Sequence, residues 1–449
     1  MIKADTPNSH HVALPSAIRA GIEGDEAEDG AHRSRLARSV GPEKPEHRAR
    51  WHGERQLVER QHFAVTAGQA DEFEHRVLVT PKQYAGWVKE VVPPLVADTA
   101  GVEAVTPDEK LDAGSASLVD ELLDSLGITA RRDLYSGILG TVVHLAEEKT
   151  DALDLKLASA ALAEMAEAFR VFRPFRNSRK VTFFGSARTL PQDPLYVQAR
   201  SLAEQMAGHG WMVVTGAGPG IMAAGMEGAG QARSLGVNIR LPYEQGANAF
   251  IAQDPKLVEM RYFFTRKLML IKESDGYAVL PGGFGTLDEC FELFTLLQTG
   301  KAEPAPIVLL DLPGDPYWEE LERFLKGEVT RRGLVNREDA ALYRITDDVG
   351  VAVEEILGFY RNYHSRRFVG TTMVIRCRFA PSDEELAALN EEFSDICSSK
   401  GIWRTGPLPP ERAGRDHLEL KRFALEFDRR SHGRLRMLSD TINRWPASS

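Results

Sequence analysis

Gly276-Tyr-Ala-Val-Leu-Pro-Gly-Gly-Phe-Gly-Thr286 joins a continuous apolar run to a turn holding three glycines and a threonine. An apolar run without alternation marks a strand covered on both faces. Glycines after a strand let the backbone turn sharply and approach a ligand. The free N–H groups and dipole of a following helix favour an anion there. A phosphate is the natural guest, and Thr286 adds a hydroxyl. A helix is expected from Leu287, and Thr286-x-x-Glu289 also fits a capping box.

The same grammar repeats outward. Short apolar runs occur at 181–184, 211–214, 237–239, 276–280 and 307–310, separated by stretches of helical length. Helices between such runs imply right-handed crossovers, so the fold class is α/β: a doubly wound, Rossmann-like parallel sheet. Ligands of such sheets bind beyond the carboxyl ends of the strands. Two more glycine turns fall there, Gly185-Ser186-Ala187-Arg188 and Gly216-Ala217-Gly218-Pro219-Gly220. The second is a loose G-x-G-x-G that admits both a binding and a packing reading. It lacks dinucleotide spacing, and Arg240 stands where an acidic ribose reader would end the next strand.

Residues 1–76 are rich in Arg, Glu, His, Gly and Pro, too polar to offset ordering entropy, and are expected to be disordered. Residues 77–165 read as a helical lead-in. Tyr84, Trp87 and Val88 mark one helix, Val119, Leu122, Leu123 and Leu126 another, and 151–170 a third. Residues 166–366 form the α/β domain. Residues 367–449 read as a small α+β unit, with strands near 372–378 and 418–427 and helices over 383–397 and 433–443.

The chain has 449 residues, a net charge of −10 and three cysteines, none in a C-x-x-C pair. That argues against a nucleic-acid-coating surface and against a disulfide framework. No spanning run or apolar leader is visible, so a cytoplasmic protein is expected. H-E-x-x-H, G-x-S-x-G and Walker patterns are missing, so no metal, serine-hydrolase or P-loop set is indicated. Within Arg261-Tyr-Phe-Phe-Thr-Arg-Lys-Leu-Met-Leu270, apolar 263, 264, 268, 269 and 270 suggest a largely buried helix. Arg266 and Lys267 then either reach solvent or serve an anionic ligand.

Pro281-Gly-Gly-Phe-Gly-Thr-Leu-Asp-Glu289 resembles the P-G-G-x-G-T-x-x-E signature of the Lonely Guy (LOG) family, long mislabelled as lysine decarboxylases. Phe184–Arg188, Gly216–Met222, Asn238–Gln245 and Tyr262–Lys267 follow the family order, across about residues 168–360. Ala217 departs, standing where relatives usually carry Gly. The resemblance implies cleavage of the N-glycosidic bond of a nucleoside 5′-monophosphate such as AMP or a cytokinin riboside monophosphate. It implies Arg266 and Glu289 as the catalytic pair, with Gly282, Gly283, Gly285 and Thr286 holding the phosphate. Lys267, Ser186, Gly218 and Gly220 complete the nucleotide-binding set. It further implies a homodimer or higher homo-oligomer, and no metal or redox cofactor. A nucleotide sensor without turnover is the alternative, and a pyridoxal-phosphate lysine site is not recognisable.

Overall fold

The computed structural model describes residues 113–240 and 246–445. The expectations for 1–76, for 77–112 with its Tyr84–Val88 helix, and for 241–245 lie outside the described residues. Three helices lead in: α1 (Ala113–Ser125), α2 (Arg132–Glu147) and α3 (Ala152–Phe172). Asp151 starts α3 by accepting the N–H groups of Leu153 and Asp154, a cap worth about 1 kcal/mol.

The sheet region then runs β1 (Lys180–Phe184), α4 (Pro194–Gly208), β2 (Met212–Thr215), α5 (Ile221–Ala229), β3 (Ser234–Ile239) and β4 (Leu257–Met260). It continues with α6 (Phe263–Lys272), β5 (Gly276–Val279), α7 (Phe284–Gln298), β6 (Ile307–Leu310), α8 (Tyr317–Phe324), β7 (Arg344–Thr346) and α9 (Val349–Gly358). All seven strands are parallel, in the order β4-β3-β2-β1-β5-β6-β7. The expected doubly wound sheet is present. β4 and β7 went unanticipated because they are edge strands. Glu259 and Arg344 face solvent, which breaks the apolar run.

Alternate residues of each strand feed two cores. Val181, Phe183, Val213, Ala278 and Val308 pack under α4, α5 and α9. Phe184, Val214, Val237, Val279 and Leu309 pack under α3, α6, α7 and Trp318 of α8. The end of the lead-in thus belongs to the sheet: Ala168, Val171 and Phe172 of α3 are buried there. Each fully buried large side chain contributes about 1.5–3 kcal/mol.

Two local expectations are corrected. Helix α6 is not largely buried. Phe263, Phe264 and Leu268 are 59%, 53% and 46% exposed, while Met269, Leu270 and Ile271 fill the core. Helix α7 begins at Phe284 rather than Leu287, with Gly283 as N-cap and no side-chain cap. Thr286 and Glu289 therefore lie inside the helix, and their spacing is not a capping box.

A second sheet, β10-β11-β9-β8, is antiparallel, built from β8 (Tyr363–Val369), β9 (Thr372–Cys377), β10 (Cys397–Arg404) and β11 (Lys421–Phe427). β8 runs across the 366/367 division expected from sequence. Helices α10 (Asp383–Phe393) and α12 (His432–Asn443) cover one face around Phe393, Phe423 and Leu438. Cys397 opens β10 instead of ending the helix expected over 383–397, and 418–420 lie outside β11. A short α11 (Pro409–Gly414) delivers Glu411, which is fully buried and accepts from Arg376 and Arg422 at 2.9 and 3.2 Å. Arg366 of β8 donates to Gly300 O and Ala302 O at 3.1 and 3.0 Å, just past the end of α7. No described helix is long and apolar enough to cross a membrane.

Candidate active site

After β1 the chain winds to one side of the sheet through β4. It then returns to place β5 on the other side of β1. The crevice beyond β1 and β5 is thus the topological switch point, where such sheets bind ligands. All three glycine turns meet there. Ser186 N–H donates to Pro281 O at 3.2 Å, and Ile221 N–H donates to Ser186 O at 3.0 Å. Ser186 thereby ties the first turn to the other two.

This closeness explains two of the glycines. A Cβ on Gly282 would lie 2.2 Å from Thr286 Oγ1 and 2.9 Å from Ser186 N. Gly220 has φ +66°, and its Cβ would fall 2.2 Å from Ser186 O. Gly218 lies against the Met222 side chain. Gly283 and Gly285 are exposed, with open space where a Cβ would stand. At the start of α7 the first N–H groups have no intrahelical partner, and here they lie at the surface of the crevice. Free N–H groups at a helix start favour an anion. Thr286 is buried beneath it.

Helix α6 brings in the charges. Arg266 Nε donates to Val237 O at 2.9 Å, and Nη2 lies 3.4 Å from Gly216 O. The guanidinium therefore reaches the carboxyl end of β3 and the second turn. Lys267 turns to α7, with Nζ 2.6 Å from Asp288 Oδ2 and 2.7 Å from Glu292 Oε2. Burial works against its ammonium, but those two bonds and the charge of Glu289 hold its pKa above the ordinary lysine value.

Glu289, next to Asp288 on α7, is 7% exposed, and its Oε2 has no hydrogen-bond partner among the described residues. Burial pushes its carboxyl up to about 7, against the pull of Lys267 and Arg266. A buried, unpaired carboxylate is costly unless something arrives to use it. Groups perturbed in this way gather at functional sites.

Several contributors carry no sequence signal. Asn248 donates its Nδ2 to Ala217 O and Gly218 O, both at 3.0 Å, and its backbone N–H to Ala217 O at 2.8 Å. It fixes a turn in which Ala217 holds the left-handed φ of 58°. Tyr317 of α8 donates its hydroxyl to Gly282 O at 2.6 Å. Glu164 of α3 accepts Arg261 N–H and Thr265 Oγ1, both at 2.8 Å, and so ties α3 to the first turn of the helix that carries Arg266. These contacts join residues 30 to 101 positions apart in the chain, beyond any local pattern.

A family described as "Possible lysine decarboxylase" matches residues 220–356, which include Arg266 and the whole Pro281–Glu289 segment. The cytokinin riboside 5′-monophosphate phosphoribohydrolase of Mycobacterium tuberculosis is 32% identical over 135 residues, 29% of this chain and 68% of that protein. The chain belongs to the LOG family. A bifunctional cytokinin biosynthesis protein of Fusarium pseudograminearum is 27% identical over 187 residues, and the alignment spans only 37% of its length. Among solved structures, the molybdenum cofactor carrier protein of Chlamydomonas reinhardtii aligns over 40% of this chain and 98% of its own. That alignment has 24% identity and a TM-score of 0.27. Glu164 and all of β8–β11 lie outside the residues this family matches, and Glu164 nonetheless reaches the helix of Arg266.

Proposed function

We propose that this LOG-family chain is a nucleoside 5′-monophosphate phosphoribohydrolase. The substrate is AMP or a modified AMP such as a cytokinin riboside monophosphate. The observation that carries the reading is Glu289: a buried carboxylate on α7 whose Oε2 has no hydrogen bond among the described residues and which feels the charge of Arg266. The 5′-phosphate sits on the N–H groups of 283–286 at the start of α7. Water supplies OH to C1′ and a proton to the leaving base. The C1′–N bond breaks, its electron pair goes to the base nitrogen, and ribose 5-phosphate remains. Positive charge builds on the ribose in the transition state, and ionised Glu289 stabilises it or takes the proton from the water. Arg266 orients the nucleotide and favours the ionised form of Glu289.

Incubation of pure protein with a panel of nucleoside monophosphates, assayed for free base, tests this. Release of base and ribose 5-phosphate supports it. Tight binding without release would instead leave a nucleotide sensor.

The same helices suggest self-association. Phe263, Phe264 and Leu268 on α6 and Phe284 and Phe291 on α7 are exposed, Phe284 at 93%. Lys267 bonds the two helices together beside the site. Exposed apolar side chains in such number mark an interaction surface, and a homodimer through it fits. Light scattering of the wild type against Phe284→Glu tests this, with a monomer expected for the variant. A monomeric wild type would refute it.

A further inference from the structure

We infer that Gly216 is a positioning residue for Arg266: its missing side chain is the seat of the guanidinium. A Cβ built on Gly216 would stand 1.8 Å from Arg266 Nη2 and 3.0 Å from its Cζ. The other near atom is Met222 Sδ at 2.8 Å, the flexible part of a methionine. Gly216 is buried and closes β2, but its φ is not in the left-handed region. Alanine can therefore adopt its backbone, so conformational freedom does not explain the glycine. Space does.

The geometry also says what a methyl group would do. Arg266 holds Val237 O through Nε at 2.9 Å and approaches Gly216 O through Nη2 at 3.4 Å. Ordinary carbon contacts need about 3.5 Å or more, so the guanidinium must retreat by roughly 1.5 Å. Both obstructing groups are the ends of flexible side chains, so the fold yields easily there. Displacement on this scale is nevertheless enough to cost about 100-fold in rate when the group orients a substrate. Gly216 thus matters to turnover and little to stability. It differs in this from Gly220 and Gly282, whose neighbours include unyielding backbone.

The kinetic part of this inference rests on the phosphoribohydrolase reading, and its structural part does not. The experiment compares Gly216→Ala, Arg266→Ala and the double variant in the full chain. Melting temperature, kcat and KM for base release, and the 15N signal of the Arg266 Nε–H bonded to Val237 are followed. Gly216→Ala should melt within a few degrees of wild type, lose roughly 10- to 100-fold in kcat, and shift the Nε–H signal. In the Arg266→Ala background the added methyl should change kcat by less than about twofold, because the two act as a unit. A second full loss in the double variant would overturn the inference and assign Gly216 a role of its own. An unchanged Nε–H signal would overturn it too, even if no nucleotide is hydrolysed. Failure of Gly216→Ala to fold would likewise refute it, since only side-chain ends are said to yield.

Discussion

Lys267 Nζ lies 2.6 Å from Asp288 Oδ2, the residue immediately before Glu289 on α7. The lysine thus pairs with Asp288 and Glu292, while Glu289 Oε2 keeps no hydrogen bond among the described residues. A positive charge stands nearby without neutralising the carboxylate by contact. Glu289 stays available to a substrate, with its pKa held near neutrality by burial against the pull of Lys267 and Arg266.

Glu289→Gln should separate chemistry from folding. Turnover should fall by roughly 100-fold or more, the loss typical of one electrostatic or acid–base group. The folded pKa of about 7 lies above the ordinary 4.5, so burial of the ionised form opposes folding. That penalty is absent below about pH 4.5 and fully present above about pH 7. The variant should therefore melt no lower than wild type at pH 8, with a gain on the order of 1–3 kcal/mol. Melts at pH 5 and pH 8, run beside the base-release assay, check both halves. A destabilised variant at pH 8 would show that the carboxylate has partners beyond those seen.

Removal of Lys267 should move the pH profile. If ionised Glu289 is required, kcat/KM rises with pH through a midpoint near 7. Lys267 lowers that pKa, so Lys267→Met should shift the midpoint upward. A profile that stays in place would mean that another group sets the limb.

The contact between Glu164 and α6 predicts a long-range effect. Glu164→Ala removes the Arg261 N–H acceptor and leaves Thr265 Oγ1 with Tyr262 O, and should cost about 1 kcal/mol, the scale of one hydrogen bond. Because α6 carries Arg266, kcat should fall as well. Glu164→Gln keeps one acceptor oxygen and should recover most of both. Equal loss in the two variants would argue that charge, not hydrogen bonding, is what Glu164 supplies.

Ala217→Gly is expected to be close to neutral. The left-handed φ of 58° costs alanine about 1 kcal/mol. Against that, the methyl group is fully buried beside Met226 and Ile251, worth about 0.8 kcal/mol. A denaturant titration should place the variant within about 1 kcal/mol of wild type. A larger loss would mean that the methyl packs better than its area suggests.

The strands buried on both faces and the glycine turns at their carboxyl ends were legible in the sequence. Each is a local pattern: an unbroken apolar run, a cluster of residues without side chains. Local pattern failed where exposure depends on neighbours. The edge strands β4 and β7 alternate because one face meets solvent. Helix α6 shows its aromatic edge because α3 and the sheet cover only the other side. The start of α7 at Phe284 was hidden because its cap is a bare Gly283 and not a side chain. Sequence alone determined which chemical groups the crevice could hold. Tertiary structure alone decided that Ser186 knits the turns, that Glu164 and Asn248 serve the site from distant segments, and that the guanidinium of Arg266 lies where Gly216 has no side chain. Those are relations between atoms many residues apart, and only the packing of the sheet between its two helical layers brings them within reach.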